Sequence, residues 1–278
     1  MLIKKAKSYG FCFGVKRAVE IAEDSKNAVT LGPLIHNPLE IKRLAQNYNV
    51  NYVDSIDKID DNIKRVIVRT HGIPKKELEK LKNKNIEIID ATCPFVKKPQ
   101  EIVEEMSKAG YDIVIFGDIN HPEIKGVMSY SVHERVFVVL DVKELKNIKL
   151  KEHIATVAQT TRKINDYLKI TDYLIQNYKE VRVFNTICNA TFENQDAVRE
   201  LAKEADIMII IGGKNSSNTK QLYNIASEYC ESYLIENENE INPEWFKNKK
   251  LCGISAGAST PEWLVEKIIS KIKEVTWN

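Results

Sequence analysis

Neither sign of charge dominates this sequence: 41 Lys and Arg stand against 39 Asp and Glu in 278 residues, a formal net charge of +2. That balance excludes a broad basic field for nucleic acid and an acidic tail, so any anion site must be local. Long apolar runs are missing as well. The longest aliphatic stretch, Ile207 to Ile211, is too short to span a bilayer, and the start MLIKKAKSYG has no apolar h-region behind its lysines. A cytoplasmic protein without a membrane partner is expected. Cysteine is scarce, with five residues at 12, 93, 188, 230 and 252. An odd number, widely spaced, argues against a secreted disulfide framework, and no CxxC pair or zinc-finger spacing is present. No GxGxxG fingerprint follows a strand-like run, so a bound dinucleotide is not expected. Without a long heptad or amphipathic tail to offer a partner face, the expectation is a monomer. What remains is an ordinary composition, 43% hydrophobic and 29% charged, able to bury a sizeable core.

What is present is a three-fold repeat, and each copy opens at a cysteine. FGVKRAVEIAEDSK after Cys12 carries Val15, Ala18, Val19 and Ala22 at helical spacing. PFVKKPQEIVEEMSK after Cys93 does the same with Ile102, Val103, Met106 and Ala109, and NATFENQDAVRELAKEAD after Cys188 with Ala197, Val198, Leu201, Ala202 and Ala205. Each helix leads to an apolar strand ending in a glycine and a polar loop: AVTLGPLIHNP with Gly32 and His36, DIVIFGDINHPE with Gly117 and His121, DIMIIIGGKNSSNT with Gly213 and Ser217. A short second strand with an acidic end follows. A third strand then ends in VIVRTHGIP with His71, IATVAQTTRK with Thr160, or LCGISAGASTPEW with Ser259. The first two copies continue into a fourth strand, IEIIDATC and VRVFNTIC, which delivers the next cysteine. The third copy has none, and the gap closes if LIKKAKSYGFC returns beside the C-terminal helix to supply it. The expected fold is α/β, in three small pseudo-repeated units at 1–92, 93–187 and 188–278, each with a mostly parallel sheet. Ligands gather beyond the carboxyl ends of such strands, so three ends facing one another would form one pocket.

Cysteine where a strand end meets a helix start sits near free backbone N–H groups, a setting that favours the thiolate a metal needs. Three equivalent cysteines point to a shared three-thiolate site at Cys12, Cys93 and Cys188, whereas Cys230 and Cys252 fall outside the pattern and read as buried free thiols. A 4Fe-4S cluster would keep one iron open to substrate oxygen, while zinc with three cysteines and a water would give hydrolysis or deamination. His36, His71, His121, Thr160, Ser216, Ser217, Asn218 and Ser259, nearly all donors at strand ends, suit a diphosphate. Glu123 is the one carboxylate placed in the pocket. In a low-dielectric site its pKa rises, which makes it a proton donor to a departing hydroxyl, with Thr160 as relay or orienter. A non-catalytic cluster-bearing sensor of a phosphorylated metabolite would need the cysteines and anion loops but not Glu123.

Over nearly its whole length the chain resembles the 4-hydroxy-3-methylbut-2-enyl diphosphate reductase family. The resemblance is carried by GFCFGV, GPLIHNP, RTHG, DATCPFV, NHPEIKG, QTT, ICNAT, NSSNT and SAGAS. It implies a trefoil of three α/β units around one 4Fe-4S cluster held by Cys12, Cys93 and Cys188. It also implies the last step of the methylerythritol phosphate route to isoprenoids. In that step the allylic hydroxyl binds the open iron, two electrons and two protons enter, water leaves, and isopentenyl and dimethylallyl diphosphate form. Glu123, assisted by Thr160, would protonate the leaving oxygen. His36, His71, His121, Ser216, Ser217, Asn218 and Ser259 would hold the diphosphate, and a ferredoxin or flavodoxin type donor would supply the electrons. Gln100 and Asn194 depart from the family pattern, which commonly has a histidine and an arginine there; both lie on helices after a cysteine, so the departure bears on packing or the donor surface.

Overall fold

The structure, a computed structural model, describes residues 1–35, 37–60 and 62–276. The chain begins with β1 (Leu2–Lys5) and α1 (Phe13–Asp24), then β2 (Val29–Leu31), α2 (Pro38–Tyr48), β3 (Asn51–Val53), β4 (Arg65–Val68), α3 (Lys75–Lys82) and β5 (Glu87–Asp90). The order recurs as α4 (Pro94–Lys108), β6 (Asp112–Phe116), α5 (Pro122–Met128), β7 (Val136–Val139), α6 (Val142–Lys146), β8 (His153–Ala158), α7 (Ile164–Asn177) and β9 (Glu180–Val183). It ends with α8 (Asn189–Ala202), β10 (Ile207–Ile211), α9 (Ser217–Ser227), β11 (Glu231–Ile235), β12 (Leu251–Ala256) and α10 (Glu262–Thr276). Among the described residues three four-stranded sheets form, ordered β3-β2-β4-β5, β7-β6-β8-β9 and β1-β12-β10-β11, with every strand pair parallel. The α/β class and the three repeats are as expected from the sequence. So is the role of the N-terminal strand, for β1 runs beside β12 with Leu2 opposite Leu251.

The chain divides into two compact units. One comprises Met1–Glu20, Ile35–Asn49 and the chain from Asn189 onward; the other comprises Ile21–Leu34 and Val50–Cys188. In the first, β10 is buried on both faces, as its unbroken run IMIII requires of a central parallel strand. Ile207, Ile209 and Ile211 pack with Leu264, Val265, Ile268 and Ile272 of α10. Met208 and Ile210 point the other way, into Val198 and Leu201 of α8 and Leu222 and Ile225 of α9. β1 is fixed to α10 by Lys5, which donates to Glu262 and Glu266, and Tyr9 also donates to Glu262. The helix α2 lies in this unit although its flanking strands do not. Its buried Glu40 accepts from Arg43 through both oxygens and from the Trp263 indole N–H at 2.8 Å.

In the second unit, Ile113 and Ile115 of β6 meet Ile102, Val103 and Met106 of α4 and Ile124 and Val127 of α5, while Phe116 stacks on Tyr167 of α7 at 5.9 Å. Val66 and Val68 of β4 pack with Leu81, and Leu78 joins the same cluster from α3. Among the described residues no helix is long and apolar enough to cross a membrane.

Candidate functional site

Each repeat positions its cysteine by the same backbone bond. The Cys93 N–H donates to the Thr70 carbonyl at 3.0 Å, Cys188 to Thr160 at 2.8 Å and Cys12 to Ala258 at 3.2 Å. Thr70, Thr160 and Ala258 each lie two residues beyond the third strand of their sheet, β4, β8 and β12. The parallel ladder thus runs one step past each strand and ends at a cysteine, from which a helix departs at once. Cys93 caps α4, with Pro94 at the first helical position, where the missing N–H removes no intrahelical bond. All five cysteines are reduced. Cys12, Cys93 and Cys188 are half-buried, so their sulfurs are neither sealed in a core nor fully in solvent. Burial raises the Cys230 thiol and pushes Cys252 up to about 12, which disfavours the thiolate at both. Among the described residues no three His, Cys, Asp or Glu side chains gather as ligands of a single metal ion.

The bond pattern shifts the equivalence of the polar residues by one place. Thr160 corresponds to Thr70 rather than to His71, whose counterparts are Thr161 and Ser259. Likewise the glycine that ends β10 is Gly212, not Gly213. Gly32, Gly117 and Gly212 all donate to the last residue of the neighbouring second strand, at Val53, Val139 and Ile235.

Thr160 is joined to Glu123. The Thr160 N–H donates to Glu123 Oε1 at 2.8 Å, and its hydroxyl meets Oε2 at 2.8 Å. Glu123 is only 2% exposed and Thr160 6%, so this pair is sealed from bulk water. Burial drives the Glu123 carboxyl above the usual carboxylate range, while the two Thr160 bonds and the nearby Arg162 charge pull the other way. A solvated loop glutamate would show none of this. When the carboxyl is neutral, the Oε2 to Oγ1 contact can run with the acid as donor, so one residue both bonds the carboxyl and holds the Cys188 backbone.

Glu123 reaches this place on α5, capped by His121 and opened by Pro122. The His121 Nδ1 accepts the Glu123 N–H at 3.2 Å, which leaves Nε2 as the ring's donor. His71 meets His121 edge to face at 5.7 Å between centroids. Gln159, in the quoted QTT motif but not singled out from sequence, accepts the Asp118 N–H at 3.0 Å and so fixes the loop leading to His121.

In the other unit, Ser216 caps α9 by accepting from the Thr219 N–H, and Ser217 is exposed at the first turn. The Asn218 amide is the notable group there: its Oδ1 and Nδ2 are both buried and neither has a partner. Two unpaired polar atoms cost free energy unless a ligand or water meets them. Ser259 is buried just beyond β12. His36 lies outside the described residues; the adjacent Asn37, whose side chain accepts the Glu40 N–H, caps α2. The two departures noted in the sequence are both buried on helices. Asn194 accepts from the Ser8 hydroxyl, and Gln100 packs against Gly72 with its Nε2 unpaired.

The fold and site define a class first: an α/β enzyme of three parallel sheets, each delivering a reduced cysteine where its ladder ends, with a sealed carboxyl in one of them. The chain belongs to the LytB protein family, whose model matches residues 3–273. A protein of Nautilia profundicola named 4-hydroxy-3-methylbut-2-enyl diphosphate reductase is 84% identical over 99% of this chain and all of its own length. One of the same name from Nitratiruptor sp. is 66% identical, with 99% of both chains covered. A solved structure described as (E)-4-hydroxy-3-methyl-but-2-enyl diphosphate reductase, the terminal enzyme of the non-mevalonate pathway, matches with a TM-score of 0.77 and 42% identity, covering 99% of this chain and all of that one. The Plasmodium falciparum reductase matches at 0.87 and 26%, covering 98% and 88%. The chain is accordingly an oxidoreductase.

Proposed function

We propose that this chain reduces (E)-4-hydroxy-3-methylbut-2-enyl diphosphate to isopentenyl and dimethylallyl diphosphate, taking up two electrons and two protons and releasing water. The observation that carries this reading is the Glu123–Thr160 pair, a buried carboxyl whose pKa burial raises, beside the backbone that fixes Cys188. Loss of an allylic hydroxyl needs such a proton at the leaving oxygen. Glu123 donates it, and the carboxylate left behind is stabilised by the Thr160 N–H and hydroxyl and by the Arg162 charge. Reprotonation then resets the acid.

The donor set fits an iron-sulfur cluster: three reduced, half-buried thiols at equivalent ladder ends. Cys12, Cys93 and Cys188 would hold one 4Fe-4S cluster. When bound, it supplies the electrons and a Lewis-acidic iron. His36, His71, His121, Ser216, Ser217, Asn218 and Ser259 bind the diphosphate, and the unpaired Asn218 amide is the group most in need of such a ligand. Binding energy gathered at that end orients the hydroxyl toward Glu123. The protein acts in the cytoplasm as a monomer, with a ferredoxin or flavodoxin type donor. Its units divide at 92/93 and 187/188, so that the second and third each begin at a cluster ligand.

Turnover of the hydroxylated diphosphate by anaerobic protein with a reduced viologen tests the reading. Formation of both five-carbon diphosphates, lost in Glu123→Gln, is the expected result. Binding of the diphosphate without any product would instead indicate a sensor.

A further inference from the structure

Arg69, the first residue beyond β4, carries a cation that the described residues leave unpaired. Its Nε is buried without a partner, and among the described residues no carboxylate pairs with the guanidinium. Burial lowers its pKa, opposed only by the more distant charge of Glu77. A half-buried guanidinium with an unpartnered buried Nε and no anion is an unfavourable arrangement for a folded protein to keep.

The other repeat in the same unit shows what this position ordinarily does. Gln159 stands at the same place beyond β8, against Gly117, and its side-chain oxygen accepts the Asp118 N–H. Arg69 lies against Gly32 in the same way: a Cβ there would fall 2.5 Å from Nη1, and Gly32 has φ +75°. The residue matching Asp118 is Pro33, which has no N–H to give, and arginine has no lone pair to accept one. An acceptor that ties down a loop is thus replaced by a fork of donors with nothing to bind, at the start of the GPLIHNP loop and two residues before His71. Such a fork matches the oxygens of a phosphate or diphosphate.

We infer that Arg69 is a further substrate-binding residue, whose guanidinium supplies a charged contact to the diphosphate in addition to the imidazole, hydroxyl and amide donors proposed above. This rests on the reading given under Proposed function. The test compares wild type with Arg69→Gln and Arg69→Lys in the cluster-loaded protein, using inorganic pyrophosphate as well as the allylic diphosphate. In Arg69→Gln, KM and the pyrophosphate inhibition constant should both rise about 10- to 100-fold, with a much smaller fall in kcat, and Arg69→Lys should recover part of the loss. Without anion, Arg69→Gln should melt at or above the wild-type temperature, since it removes an unpaired charge. Pyrophosphate should raise the wild-type melting temperature more than the variant's. Equal stabilisation of both would overturn the role of Arg69 whether or not the protein turns over the allylic substrate. Pyrophosphate inhibition that depends on Arg69 but does not compete with substrate would overturn it too, since that places the anion elsewhere. Absence of wild-type turnover, by contrast, counts against the reductase reading, and the melting comparison still decides Arg69.

Discussion

The fold offers the charged form of Glu123 little water, and this burial raises its pKa against the opposing Thr160 bonds and Arg162 charge. The sign of its pH dependence follows. A carboxyl whose folded pKa lies above its ordinary 4.5 contributes stability that is full below that value and is lost as pH rises through the folded one. Glu123→Gln should therefore remove the decline in stability above pH 4.5 assigned to this group, and urea melts across pH read it directly. Turnover should move the opposite way, falling at least about 100-fold in Glu123→Gln while diphosphate binding persists. Thr160→Val keeps the backbone N–H but removes the hydroxyl, so a smaller fall in kcat, about 10-fold, is expected with KM little changed. The types and positions of these two residues were legible in NHPEIKG and QTT. Their seal from water was not, because burial is set by elements far apart in the chain. The orphaned Asn218 amide and the unpaired Arg69 were equally hidden, since a missing partner leaves no mark on sequence.

At the scale of elements, the repeat was readable wherever helical spacing followed a cysteine, and even β1 could be assigned by the gap it fills. The departure of α2 could not, for it depends on a hydrogen bond between Trp263 and Glu40, 223 positions apart. Glu40→Ala would strip Arg43 of its bidentate partner and leave the Trp263 N–H without an acceptor, so a loss of about 3–5 kcal/mol is expected in chemical denaturation. Gly212 marks the other limit of legibility. Gly212 and Gly213 look alike in sequence, yet only Gly212 has φ +145°, with the Thr260 Oγ1 at 2.7 Å and the Thr219 Oγ1 at 3.0 Å from where a Cβ would stand. Gly212→Ala should destabilise by about 1–3 kcal/mol through strain and crowding, and Gly213→Ala by much less.

For the molecule as a whole, a three-thiolate centre requires Cys12, Cys93 and Cys188 to act together and leaves Cys230 aside. Serine at any one of the three should lower iron content and abolish turnover, whereas Cys230→Ser should keep both, because Cys230 stands outside the three ladder ends and burial raises its thiol. The most direct measurement is the iron, zinc and acid-labile sulfide content of protein purified without oxygen, with its electron paramagnetic resonance spectrum before and after the hydroxylated diphosphate is added. The expected result is about four irons and four sulfides per chain, with a spectrum altered by the diphosphate. Zinc without sulfide would contradict the reductase mechanism and leave Glu123 the acid of a hydrolase.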